Sequence, residues 1–315
     1  MVTFRPIVLN EPVRTEITEA CGDRFLLGLI GAGIGGSASP PLHEAEGEAL
    51  GLRCLYQLID IEALGLPAEA VGELLREARR MGFAGVNVTH PCKQLALEHL
   101  DELSPTTRAL GAANTVVFED GRAVGYNTDH SGFSRSFQLG LASVPLGRVV
   151  LLGAGGAGTA VAHAALSLGV RELAVVDRDE QRAARLAHAL AAHFGSERVL
   201  AANGDSLERH FAGADGLIHA TPTGMASHPG VPLPLELLHR EMWVADIVYM
   251  PLETELLRYA RELGCRTLDG GGMAVFQAAA SFQLFTGRQP DAERMLRHFA
   301  ALVPQTDRSN GQQER

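Results

Sequence analysis

An α/β fold in two parts is what this sequence predicts, and three observations carry the prediction. Short apolar runs alternate with amphipathic stretches almost from end to end, the pattern of parallel βα units. At 315 residues the chain exceeds the usual size of one hydrophobic core. The alternation breaks at 114–127 and restarts at 149, which places a domain boundary between the two halves.

The first strand is read at 26–31 (LLGLIG), ahead of an amphipathic stretch at 41–50. A second strand at 55–60 (LYQLID) precedes a helical pattern at 67–81, and a third follows at 85–89 (GVNVT). In NTVVFEDGRAVGYN, two strand-like runs flank Glu-Asp-Gly-Arg, a hairpin signal with glycine at a turn position. A helical stretch at 131–141 and a Pro/Gly pair at 145–147 come next. Later strands are expected at 149–152, 172–176, 216–220, 243–249 and 266–269, with helices between most of them. The helical stretch 272–286 is expected to cross back to the first domain, followed by another at 291–302. The division is thus an N-terminal extension (1–24), a first α/β domain (25–143, completed by helices at 275–303), a second α/β domain (144–274) and a polar, disordered tail (304–315). There is no internal repeat and no low-complexity tract.

Composition excludes several partners. A net charge of −10 argues against nucleic acid or an anionic membrane, while a small anionic substrate needs only a few local donors. Cys21, Cys54, Cys92 and Cys265 form neither a CxxC pair nor a cluster at metal-ligand spacing, so reduced thiols, no metal and a cytoplasmic location are expected. No apolar stretch approaches a membrane span, and the first 20 residues lack the apolar region of a signal peptide.

Two glycine loops have dinucleotide-binding spacing: Gly31-x-Gly33-x-x-Gly36 and Gly153-x-Gly155-x-x-Gly158. Spacing is a weak signal, so context decides between them. A working loop needs a strand, a tight turn and a helix whose first amides face the pyrophosphate, then an acid about 20 positions on for the ribose hydroxyls. The second loop meets each requirement. An Ala-rich helix begins near Gly155 and runs through Gly156, Ala157 and Gly158, and Asp177 ends ELAVVD nineteen residues after Gly158. The first loop has an acid, Asp60, but its helix cannot start inside the glycines, because Ser37-Ala-Ser39 intervenes and Pro40-Pro41 suits a helix start. The dinucleotide is therefore assigned to the second loop, which makes the second domain a doubly wound Rossmann domain. The first loop presents the Ser37 and Ser39 hydroxyls instead, and Ser39 also reads as a plain helix cap. A carboxylate at Asp177 suits the 2′,3′-diol of NAD and repels the 2′-phosphate of NADP. Arg178 and Arg182 keep NADP open, although both also read as solvated helix-start residues.

The densest polar pattern is NVTHPCK at 87–93. Asn87 and Thr89, two apart at a strand end, share a face. Pro91 is placed near the start of the next helix and Lys93 in its first turn, where the helix dipole disfavours a cation unless function asks for it. Asn114, Thr128 and Asp129 lie on or beside the hairpin, where Asn and Asp are also ordinary turn formers.

Together, Ser37-x-Ser39-Pro40, the Asn87-to-Lys93 motif, GAANT (111–115), Asn127-Thr128-Asp129, GAGG (153–156) and DGGGMAVFQA (269–278) resemble the shikimate/quinate dehydrogenases, in order, over about residues 26–302. HEAEG (43–47), THPCKQ (89–94) and YMPLETELL (249–257) are most similar to the bacterial NAD-preferring quinate/shikimate branch. In NADP-linked shikimate dehydrogenases Asn-Arg-Thr stands where this chain has Asp177-Arg178-Asp179. The resemblance implies a substrate domain and a C-terminal Rossmann domain around a cleft. It implies that Ser37 and Ser39 bind the substrate carboxylate, that Asn87, Thr89, Asn114 and Gln277 hold the ring hydroxyls with Tyr249 nearby, and that Lys93 and Asp129 form the catalytic pair. To the cofactor side it adds Thr221, Pro222, Val248, Gly270 and Met273. Quinate-active members of the branch often carry threonine where this chain has Ser39, so quinate, shikimate and their amino analogues all stay open. The expectation is NAD-dependent oxidation of a cyclitol carboxylate by a monomer or homodimer. A biosynthetic NADP-dependent shikimate dehydrogenase and a non-catalytic dinucleotide or cyclitol-acid sensor are the alternatives.

Overall fold

The structure, a computed structural model, describes residues 23–203 and 207–303. The expected tail, nearly all of the N-terminal extension and Cys21 lie outside these residues. Among the described residues there are two six-stranded sheets.

The first sheet contains β1 (Arg24–Gly31), β2 (Arg53–Asp60), β3 (Gly85–Val88), β4 (Glu102–Leu103), β5 (Thr115–Glu119) and β6 (Arg122–Tyr126), in the order β2-β1-β3-β5-β6-β4. Helices α1 (Ser39–Ala49), α2 (Val71–Arg80) and α3 (Pro105–Leu110) connect them, and α4 (Thr128–Gly140) leads out. β1 pairs in parallel with β2 and β3, whereas β3, β5 and β6 pair antiparallel. The hairpin turns at Asp120 and Gly121, both at positive φ (48° and 74°), as a tight two-residue connection requires.

The second sheet contains β7 (Arg148–Leu152), β8 (Glu172–Val176), β9 (Val199–Ala202), β10 (Gly216–His219), β11 (Trp243–Asp246) and β12 (Arg266–Leu268), all parallel, in the order β12-β11-β10-β7-β8-β9. The strand order reverses beside β7, where doubly wound sheets bind ligands. Its helices are α5 (Gly156–Ser167), α6 (Glu180–Phe194), α7 (Leu207–Phe211) and α8 (Glu255–Leu263). Alternate residues of β7 enter two cores: Val149 and Leu151 on one face, Val150 and Leu152 on the other. Burial on both faces is why VVLL at 149–152 is an unbroken apolar run.

Helix α9 (Gly271–Thr286) joins the halves, and α10 (Ala292–Leu302) follows it. Val275, Ala278 and Ala279 of α9 pack with Ala38 and Leu42 near the start of α1 and with Met295 and Phe299 of α10. Close packing of α9 on α4 depends on Gly132, where a Cβ would lie 2.8 Å from Gln277 N and 2.9 Å from Met273 O. Glu46 on α1, buried, takes two bonds from the Arg294 guanidinium and one from Asp291 N at the α10 start.

Two features depart from the sequence reading. No α-helix follows Pro91: residues 90–94 are a turn, succeeded by a short 3₁₀ segment at Leu95–His99. The strands β4 and β9, two and four residues long, were not anticipated. Among the described residues no helix is long and apolar enough to cross a membrane, and no group of three or more His, Cys, Asp or Glu side chains could hold a metal ion. Cys54, Cys92 and Cys265 are free thiols.

Candidate active site

Lys93 and Asp129 approach from different elements. Lys93 sits in the turn after β3, with its carbonyl held by Ala113 N at 2.9 Å. This turn replaces the expected helix start, so the dipole argument against a lysine there does not apply. Asp129 is the second residue of α4, where the helix dipole favours a carboxylate, and Asn127 caps that helix by accepting from His130 N at 3.2 Å. Lys93 Nζ lies 2.5 Å from Asp129 Oδ2, with the two side chains 16% and 10% exposed. Asp129 Oδ1 accepts from Asn114 Nδ2 at 3.0 Å, so both carboxylate oxygens are fixed. Asn114 also takes Thr128 N onto its own oxygen at 2.7 Å, clasping the first turn of α4.

A buried relay continues from this pair. Asn87 donates to Thr115 Oγ1 at 3.0 Å and to the Asn114 carbonyl at 3.2 Å. Its side-chain oxygen accepts from Tyr56 OH at 2.7 Å, and the Ser39 side chain stands near enough to that phenol to favour its ionised form slightly. Burial pushes the Tyr56 phenol up, so it remains a neutral donor. Sequence reasoning passed over Tyr56, which stands between Ser39 and Asn87. Ser39 is the first residue of α1 after the Ala38 cap position, so the capping alternative fails; instead Ser37 Oγ accepts from Ser39 N at 3.2 Å. Thr89 lies against Gly31, where a Cβ would come within 2.2 Å of Thr89 Cγ2. The Tyr249 phenol is pushed up by burial and by the charge of Asp129, which places it near the pair. Gln277 projects from α9 with its amide donating to Ala274 O at 2.9 Å.

The two glycine loops are built for different purposes. In the first, Asp60 accepts Gly33 N and Ile34 N at 3.0 Å each and also Glu62 N and Ala63 N, so its carboxylate is occupied by its own loop. In the second, each glycine has a separate reason. Gly153 has φ +103° at the tight turn, and at Gly158 a Cβ would lie 2.0 Å from Gly153 O. At Gly155 a Cβ would meet nothing within 4 Å, so the open space lies where a ligand would approach. Gly155 is the N-cap position of α5, and Gly156 and Ala157 open that helix with their amides free of intrahelical partners. Asp177 Oδ2 accepts from Ala154 N at 2.8 Å, which sets the carboxylate against the loop with further lone pairs unused. This donor set fits a dinucleotide.

The remaining residues expected on the cofactor side differ in placement. Thr221 packs against Gly153, its Cγ2 3.0 Å from a Cβ built there, and exposed Pro222 follows it. Val248 is buried and accepts through its carbonyl from Gly270 N at 3.2 Å. Met273 is buried in the core with Phe133 and Phe137 rather than displayed at the edge. Arg178 is exposed, while Arg182 lies 3.9 Å from Asp179. The two halves meet at this pair: Lys93 Cδ is 3.7 Å from the position of a Cβ on Gly156.

Known proteins resemble this chain in sequence and fold. Residues 29–116 match the shikimate dehydrogenase substrate binding domain, and 270–298 match the shikimate 5′-dehydrogenase C-terminal domain. Residues 149–227 match the saccharopine dehydrogenase NADP binding domain. The shikimate dehydrogenase (NADP⁺) of Streptomyces avermitilis is 63% identical over 89% of this chain and 97% of that protein. The quinate/shikimate dehydrogenase (NAD⁺) of Corynebacterium efficiens is 48% identical over 89% of this chain and 99% of that protein. The structure of quinate dehydrogenase from Corynebacterium glutamicum in complex with NAD aligns with a TM-score of 0.85 at 46% identity, covering 89% of this chain and all of that one. The chain therefore belongs to the shikimate dehydrogenase family of oxidoreductases.

Proposed function

We propose that the protein oxidises quinate, shikimate or both, reversibly, to the 3-dehydro acid, with NAD as the preferred cofactor and Lys93 and Asp129 as the acid/base pair. The observation that carries this reading is the placement of the Lys93–Asp129 pair against Gly156. A proton acceptor and a dinucleotide loop then serve the same cleft. Oxidation of a secondary alcohol requires a hydroxyl proton and a hydride to leave from the same carbon. The nicotinamide, when bound, accepts the hydride. Lys93 Nζ takes the hydroxyl proton, and Asp129, held by Asn114, keeps the amine aimed at it; the two act as one proton-accepting unit. Ser37 and Ser39 bind the substrate carboxylate, and Asn87, Thr89, Asn114, Tyr249 and Gln277 surround the ring.

The preference for NAD rests on Asp177. Its carboxylate is set on the glycine loop by Ala154 N and Asp179 N, where it can accept ribose hydroxyls and repel a 2′-phosphate. Exposed Arg178 supports the other reading, an NADP-linked enzyme, as does the name of the Streptomyces relative. Replacing Asp177 by serine separates them. On the NAD reading kcat/KM for NAD⁺ falls about tenfold or more, the loss of charge-assisted bonds to the ribose, while that for NADP⁺ does not fall. Unchanged NAD⁺ use in Asp177→Ser would remove the basis for the preference.

A further inference from the structure

The C-terminal ends of β10 and β11 hold a group that the acid/base chemistry leaves unused. His219 and Asp246 are the last residues of these strands and stand opposite one another in register. Both side chains are fully buried, with His219 Nδ1 2.9 Å from Asp246 Oδ1. Asp246 accepts two further bonds, from Val248 N at 3.0 Å and from the Thr254 hydroxyl at 2.7 Å. A carboxylate facing donors on every side calls for the imidazole proton on Nδ1. In the neutral ring Nε2 is then an acceptor, and the Thr221 hydroxyl faces it at 2.5 Å. Thr221 directs its single proton there and accepts from Thr223 N at 3.3 Å, which leaves its oxygen with one lone pair and no proton to offer.

Topology indicates what that lone pair meets. The glycine loop follows β7, Asp177 follows β8 on one side, and β10 and β11 lie on the other. A dinucleotide with its pyrophosphate on the loop and its adenosine ribose at Asp177 extends its other half over the ends of β10 and β11. We propose that His219, held by Asp246, is a positioning residue that fixes the Thr221 hydroxyl as a hydrogen-bond acceptor for donors on the nicotinamide half of the cofactor. Those donors are the carboxamide amino group and the ribose hydroxyls. The inference rests on the dinucleotide reading above and deepens it.

Calorimetric titration of NADH and of AMP, which lacks the nicotinamide half, tests this on His219→Asn, Thr221→Val, their double variant and Thr221→Ser. Asparagine puts its amide nitrogen near the place of Nδ1, satisfying Asp246 while releasing Thr221. His219→Asn and Thr221→Val should each weaken NADH about tenfold, the order of one lost hydrogen bond, and leave AMP within twofold. The double variant should be no weaker than either single, and Thr221→Ser should bind as the unmutated protein does. Unchanged NADH affinity in His219→Asn, equal losses for NADH and AMP, or additive effects would overturn the proposal. A second measurement needs no variant: the imidazole ¹⁵N shifts of His219 should report the proton on Nδ1 and an acceptor at Nε2. A ring protonated on Nε2 would overturn it as well. An unmutated protein that binds neither NADH nor NADPH would instead remove the dinucleotide reading, and this inference with it.

Discussion

At the residue scale two carboxylates in matching places differ in how fully their own backbone occupies them. Asp60 ends the second strand of the first sheet and Asp177 directly follows the second strand of the other, and each reaches back to a glycine loop. Asp60 takes four backbone donors, two from the glycine loop and two from the turn that follows it, and has little left for a ligand, whereas Asp177 takes two. The proline placement that separates the two loops was legible in the sequence; the occupancy of Asp60 was not, because it depends on how the chain turns at Gly33. Tyr56 was illegible for a different reason. On edge strand β2 the apolar Leu55 is 61% exposed and Tyr56 is 5% exposed, so hydropathy points to the wrong neighbour. The central prediction at this scale concerns Lys93. In Lys93→Ala, kcat should fall by about 10²–10⁴, the usual worth of a positioned acid/base group, with the substrate dissociation constant shifting by less than about threefold. Single-turnover rates and equilibrium titration read the two quantities apart; turnover unchanged in this variant would end the assigned role.

Among the elements, α9 and α4 matter most, because their contact sets Gln277 against Gly132, one turn after Asp129 on α4. The helical pattern of α9 and its return to the first domain were legible in AVFQAAASF, but the partner was not: Gly132 gives no pattern until the two backbones are seen to touch. A Cβ at Gly132 would meet only backbone and Cβ atoms of α9, at 2.8–2.9 Å, so neither side can yield cheaply. Gly132→Ala should therefore cost about 1–3 kcal/mol of stability, measured by urea unfolding, and raise KM for the substrate. The first turn of α1 carries a second coupling. His43 is fully buried between Ser39 O and the Ser281 hydroxyl, and burial lowers its pKa to about 4. His163 on α5 is likewise lowered to about 4 by burial and by the neighbouring His130 and His193. In both cases the unfolded chain binds a proton near pH 6.5 that the folded chain refuses until about pH 4. Their contribution is fully present above about pH 6.5 and is lost as pH falls towards 4, by up to about 1.4 kcal/mol per pH unit for each ring. The urea midpoint should drop between pH 7 and pH 5, and less so in His163→Gln; a midpoint that stays level would contradict this. Short strands such as VLAA at β9 escaped the sequence reading, since four residues carry too little periodicity to register.

The whole molecule is two sheets bridged by α9, with the Lys93–Asp129 pair carried by the first half and the Gly153–Gly158 loop by the second. That division could be read from the restart of strand-helix alternation at 149, because a doubly wound sheet buries both faces and writes itself as apolar runs. The meeting of the halves could not, because Lys93 reaches Gly156 across 63 residues of sequence through contacts that no local pattern encodes. On the proposed function both halves contribute to turnover, so substrate and cofactor choice are measured together on the intact chain. The most direct test is a four-way comparison of kcat/KM for quinate and shikimate, each with NAD⁺ and with NADP⁺. The proposed function predicts turnover of at least one of the two acids, with NAD⁺ favoured over NADP⁺ for that acid. Faster turnover with NADP⁺, or none with either acid, would contradict it.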